Sequence, residues 1–152
     1  MPGYDQIIAK AKHYCAYQER CISEIRKKLV QWKASGKQAE KVIQELIDEK
    51  YLDEERFAGI FAAGKFRNNQ WGKLKIEMEL KKRGIPEDIV TKALSSIDND
   101  EYSGILKTLL ERKSHEYGDI DPFEKKQKLI RFALGKGYTI DEIYRTLEKT
   151  DI

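Results

Sequence analysis

Lys65, Phe66, Arg67, Trp71, Lys73, Lys75, Lys82 and Arg83 are the residues of this chain whose types and spacing most resemble a recognition surface. Ammonium and guanidinium groups neutralise phosphates, and rings interleaved with them stack on the bases of a single strand. Lys65, Arg67, Lys73, Lys75, Lys82 and Arg83 are therefore the candidate nucleic-acid contacts. The same pattern also suits a plainer reading, in which Phe66 and Trp71 pack between helices and the charges are solvated. The chain as a whole is only mildly basic, with a net charge of +3 and a pI of 8.7. Its distribution is uneven: residues 61–85 carry +5 and residues 98–121 carry −4. Such a division suits nucleic acid at one face and a protein at another.

Residues for catalysis are not grouped in the same way. Asp53, Glu54 and Glu55 are adjacent carboxylates, but neighbours on a helix do not face each other, and helix capping explains them better. His13 and His115 stand apart from each other. Cys15 and Cys21 lie six residues apart, which on a helix brings neither a disulfide nor a metal site together, so both are expected as reduced thiols. The phosphate-loop, dinucleotide, metalloprotease and nucleophile-elbow motifs do not occur. The expectation is a binding protein that is not an enzyme and uses no cofactor or metal.

The basic stretch must be positioned by helices, because strand signals are nearly absent. Tyr51 to Leu94 reads as one three-helix unit. Asp53 caps a first helix carrying Phe57, Phe61 and Ala62. A second starts near Gly72 and carries Leu74, Ile76, Met78 and Leu80. Gly84 closes it, and Pro86 starts a third with Ile89, Val90, Ala93 and Leu94.

The flanks repeat this plan. Ile76/Leu80 has counterparts in Ile25/Leu29 and Ile130/Leu134, at spacings of 51 and 54 residues. Gly36, Gly84 and Gly137 follow these pairs, and Val42/Leu46, Ile89/Leu94 and Ile143/Leu147 fall in the third helices. Ile47 is expected in the first core, while Trp32 and Trp71 suit core or repeat-interface positions. The fold expected is all-α, with three tandem three-helix repeats (1–50, 51–98 and 99–152) forming an elongated, curved array with a large partner surface. No run of 18 apolar residues occurs, and the N-terminus lacks a basic start followed by an apolar core. A cytoplasmic protein is expected, with no membrane partner.

These residues resemble a known family. Tyr51 to Ala58 (YLDEERFA) is similar to the YLDDxRFA signature of RecX, the regulatory proteins of bacterial homologous recombination. Gly72 to Leu94 resembles the family's G-x-x-x-I-x-x-E-L-x-x-K-G-I pattern and its following helix, Glu19 to Leu29 a loosened first-repeat motif, and Lys128 to Tyr138 the third. The resemblance covers about residues 9 to 149. It implies a non-enzymatic regulator, made of three-helix repeats, lying in the groove of a RecA filament on single-stranded DNA; a monomer is expected. Such a regulator would inhibit ATP hydrolysis and strand exchange, and so act in DNA repair and the SOS response. Asp53, Arg56, Phe57 and Leu80 match motif positions with structural chemistry: a cap, a salt-bridge partner and two core anchors. The turn Gln70-Trp71-Gly72-Lys73 departs from the Gly-aromatic-Gly-Pro turn common in the family, and many members carry a longer N-terminal arm. A general single-stranded nucleic-acid-binding protein, acting without a recombinase, is the alternative.

Overall fold

The computed structural model describes residues 3–150, so the outermost ends of the first and third expected repeats lie outside the described residues. Among these there are nine helices and no strand: α1 (Tyr4–Tyr17), α2 (Ile22–Gln31), α3 (Gly36–Asp48), α4 (Glu54–Asn69), α5 (Lys73–Lys82), α6 (Glu87–Ser95), α7 (Asn99–Tyr117), α8 (Pro122–Lys136) and α9 (Ile140–Glu148). The backbone divides into two compact units. One takes the chain through Ile60 with Leu80–Val90, and the other takes Phe61–Glu79 with the chain from Thr91.

In the first unit α1, α2 and α3 each pack on the other two. Their apolar stripes bury Ile7, Ile8, Ala11, Cys15, Ile25, Leu29, Val42, Ile43 and Leu46, joined by Leu52. Ile47 does not belong to this core, being 38% exposed. Val42, Ile43 and Leu46 already fill the helical face, and the next residue is turned some 100° away from Leu46. Cys15 and Cys21 are free and buried.

In the second unit α7, α8 and α9 likewise pack in every pairing. Leu106, Leu109, Leu110, Leu129, Ile130, Ala133 and Ile143 are buried there, and so are Phe66, Tyr102 and Tyr138. The Phe66–Tyr102 and Tyr102–Tyr138 ring centroids are 5.7 and 5.3 Å apart. Such tilted aromatic pairs contribute beyond the area they bury.

Local chemistry explains the helix ends. Ser35 and Thr139 form capping boxes with Gln38 and Glu142, each side chain meeting the other residue's backbone N–H. Asp98 and Asp121 cap α7 and α8. The helices α2, α5 and α8 end in one shared closure. Lys33, Gly84 and Gly137 adopt φ of 60°, 78° and 101°. The next residue's N–H then donates back to a carbonyl: Ala34 to Leu29 at 3.0 Å, Ile85 to Leu80 at 3.1 Å, and Tyr138 to Ala133 at 3.2 Å. This closure corrects the expected register. The equivalent of Leu80 in α8 is Ala133, and Leu134 is 46% exposed. The residue that ends α2 is Lys33, whereas Gly36 opens α3.

Candidate nucleic-acid interface

Four of the six candidate cations, Lys65, Arg67, Lys73 and Lys75, lie in the second compact unit on either side of the turn joining α4 to α5. Gln70 takes a left-handed φ of 58°, and the Trp71 N–H donates to the Lys65 carbonyl at 3.1 Å. The reversal carries Trp71 back beneath α4. Its ring meets Phe61 edge-on, with centroids 6.4 Å apart. Lys65 Nζ lies 4.9 Å and Lys75 Nζ 4.7 Å from the Trp71 ring centre.

This turn is fastened to the end of α8. The N–H groups of Gly72 and Leu74 donate to the carbonyls of Lys136 and Gly137 at 2.7 and 3.0 Å, and the Lys73 N–H donates to Tyr102 Oη at 2.9 Å. The first N–H groups of a helix lack partners within it, so α8 and Tyr102 supply what α5 cannot. In return Lys136 Nζ donates to the Asn69 carbonyl at 2.9 Å, and Tyr138 Oη to the Gln70 carbonyl at 3.0 Å. Lys73 Nζ is 5.0 Å from the centre of the Tyr102 ring.

The electrostatics bring in two lysines that sequence spacing did not single out. Lys136 is held below the usual lysine range, first by burial and then by the like charges of Lys75 and Lys113. Lys113 Nζ lies 4.7 Å from the Phe132 ring centre and pairs with Glu116 at 3.0 Å. Lys113 and Lys136 belong to α7 and α8, and only packing of these helices brings Lys75 and Lys113 within electrostatic reach of Lys136. The α7 segment itself reads as net acidic, so no local signal marks Lys113.

The remaining candidates have other surroundings. Arg67 is engaged by Glu101 through two parallel bonds, Nε to Oε2 at 3.0 Å and Nη2 to Oε1 at 3.1 Å. Lys82 is exposed and Arg83 half-buried, both in the first compact unit. Phe66 is 1% exposed, so it stacks on no base; it is a core residue. Trp71 is half-buried beside two ammonium groups, which suits this face to phosphate oxygens.

The family-signature residues lie in the first unit. Asp53 Oδ1 accepts from the Arg56 N–H at 3.0 Å. Arg56 Nε donates to Glu19 at 2.7 Å, and its Nη2 reaches the carbonyls of Lys50 and Tyr51 at 3.1 and 3.4 Å. Phe57 and Leu80 are buried. Among the described residues no group of histidine, cysteine and carboxylates could hold a metal ion, and no helix is long and apolar enough to cross a membrane.

Helices in sets of three, with lysines gathered where one set's second helix begins, define a class: an all-α protein built from three-helix domains. Sequence models of the second and third three-helix domains of RecX match residues 53–94 and 100–147. The chain belongs to the RecX family. It is 29% identical to the regulatory protein RecX of Shigella boydii serotype 18, over 93% of this chain and 90% of that one. It is also 29% identical to the regulatory protein RecX of Lactobacillus delbrueckii subsp. bulgaricus, over 85% of this chain and 48% of the other. The chain thus spans about half the length of that relative. The crystal structure of RecX from Lactobacillus salivarius superposes with a TM-score of 0.89 over 97% of this chain and 96% of that one, at 23% identity, and this likeness establishes the fold.

Proposed function

We propose that this chain regulates RecA-dependent recombination by binding the RecA filament on single-stranded DNA, lowering its ATP hydrolysis and strand exchange. It acts by binding and carries out no catalysis. The observation that carries this reading is the match to two successive RecX domains, with the lysine-bearing turn inside the first of them. Lys65, Lys73 and Lys75 meet phosphates of the nucleoprotein, with Lys113 and Lys136 adding to the local positive field. Lys82 and Arg83 contact the filament from the first unit, and Arg67 does so only if it leaves Glu101. The working units are the repeats 1–50, 51–98 and 99–152, in a cytoplasmic monomer needing no cofactor.

The test is ATP hydrolysis by preassembled RecA filaments on single-stranded DNA, titrated with this protein. Inhibition that persists when bare DNA is added in excess is the expected result. The second reading, a protein that coats single strands without a recombinase, is favoured by the ammonium groups beside Trp71. It predicts that excess bare DNA abolishes the inhibition.

A further inference from the structure

The first compact unit has a cation–aromatic cleft of its own. Lys10, His13, Tyr14, Tyr17, Arg20 and Trp32 line an open hollow of about 540 Å3 on the α1–α2 side of the unit. Tyr17 ends α1 and is 80% exposed. One exposed tyrosine is ordinary, but the rings near it are fixed in place. Trp32 meets Tyr14 edge-on, with centroids 6.3 Å apart and planes at 88°. The Arg20 guanidinium lies 3.6 Å from the Tyr14 ring centre, while its Nε donates to the Tyr14 carbonyl at 3.1 Å. Buried Arg20 therefore holds Tyr14, and Tyr14 supports Trp32. Lys10 Nζ is 6.0 Å from the Trp32 ring, and Lys28 Nζ 5.3 Å from the Tyr14 ring.

The lining includes Lys10 and Arg20 and no carboxylate, so the cleft repels a basic ligand. Its aromatic walls offer little to a small hydrated anion. The match is to a flat apolar group carrying negative charge close by, which every nucleotide of a single strand supplies. An acidic peptide has the charge without the repeating flat surface. We infer that this cleft binds a nucleotide of a single-stranded nucleic acid, its base stacked on Tyr17 and Trp32 and its phosphates met by Lys10 and Lys28. This goes beyond filament regulation, because it assigns a direct strand contact to the first unit.

The test uses the full chain and a fluorescently labelled oligothymidylate at low salt. Tyr17→Ala should weaken binding about tenfold or more, Tyr17→Phe should retain it, and Lys10→Glu should weaken it. Circular dichroism should be unchanged, because Tyr17 projects into solvent. In Trp71→Phe, Trp32 is the one remaining tryptophan, and its emission should be quenched once the chain is saturated with oligonucleotide. The inference is overturned by the absence of oligonucleotide binding, by Tyr17→Ala binding as tightly as the parent chain, or by unquenched Trp32 at saturation. An abasic oligonucleotide binding equally well, or polyglutamate competing as strongly as the oligonucleotide, would overturn it too. Because none of these readouts involves RecA, failure here is separable from failure of the ATPase test.

Discussion

The backbone of Gly72 lies directly on that of Gly137: a Cβ added to Gly72 would stand 2.3 Å from the Gly137 carbonyl carbon and oxygen. Reciprocally, a Cβ on Gly137 would stand 2.4 Å from Lys75 Cβ, at a φ of 101° that L side chains rarely adopt. This close approach lets the end of α8 satisfy the first N–H groups of α5, and so fixes where Lys73 and Lys75 emerge. Gly72→Ala and Gly137→Ala should each destabilise the protein by about 2 kcal/mol or more. Gly135→Ala, in open space within α8, should instead stabilise it by about 0.5–1 kcal/mol. Urea unfolding midpoints separate these directions, and equal effects at all three positions would refute the packing argument.

Lys33 occupies the left-handed position that glycine fills in the other two closures. Lys33→Gly should raise stability by about 1 kcal/mol, since it removes the steric cost of a side chain at positive φ. Thermal melting checks the sign. A lower melting temperature would mean that the lysine stem contributes contacts outweighing that cost.

Arg56 joins the end of α1 to the start of α4 through Glu19 and two backbone carbonyls. The pair is partly solvated, with side chains 37% and 27% exposed, so it is worth less than a buried one. Arg56→Ala should cost about 1–2 kcal/mol, because it takes the donor from Glu19 Oε1 in a carboxylate whose Oε2 is already buried without a partner. Arg56→Lys should recover only part of this, because an ammonium lacks the planar fork. Double-mutant analysis with Glu19→Gln measures the coupling.

Burial pushes the Cys15 thiol up from 9.0 to about 11, and raises Cys21 as well. Tyr102 and Tyr138 are also raised, chiefly by burial. A raised folded-state pKa means that the native state holds its proton more tightly than the unfolded chain. The associated stability is complete below the unfolded value and is lost as pH rises. For Cys15 the loss runs from about pH 9 to pH 11. Urea midpoints should therefore fall steadily across that window. At pH 8 both thiols should react with a disulfide reagent only after unfolding; rapid native reaction would contradict their burial.

Lysines that meet phosphates should reveal themselves in salt dependence. Lys65→Ala and Lys75→Ala should each weaken single-strand or filament binding and lower the slope of log K against log salt by about one. Arg67→Ala should leave the slope nearly unchanged, because its guanidinium is committed to Glu101. Anisotropy titrations over a salt series provide the measurement. A loss at Arg67 as large as at Lys75 would show that the Glu101 pair opens on binding.

Helix number, helix order and the caps follow from local chemistry, and the sequence by itself determined them. Asp53, Asp121, Thr139 and Gly84 each act within a few residues of chain, so their types and spacing suffice. Periodicity also marked the second-helix cores of the first two repeats. It misplaced the third pair because Leu134 and Ala133 are adjacent, and hydrophobicity favours the leucine while the closure at Gly137 selects the alanine. Apolar character likewise pointed to Ile47, although three residues of α3 already filled the inward face.

Only the tertiary structure decided the composition of the basic face. It buried Phe66 beside Tyr102, paired Arg67 with Glu101, and brought Lys75 and Lys113, from helices remote in sequence, within electrostatic reach of Lys136. It also gathered Tyr14, Tyr17 and Trp32 around Arg20. The physical reason is range. Capping and periodicity act over one to three helical turns, whereas a side chain's solvation and partners depend on which distant helix arrives beside it.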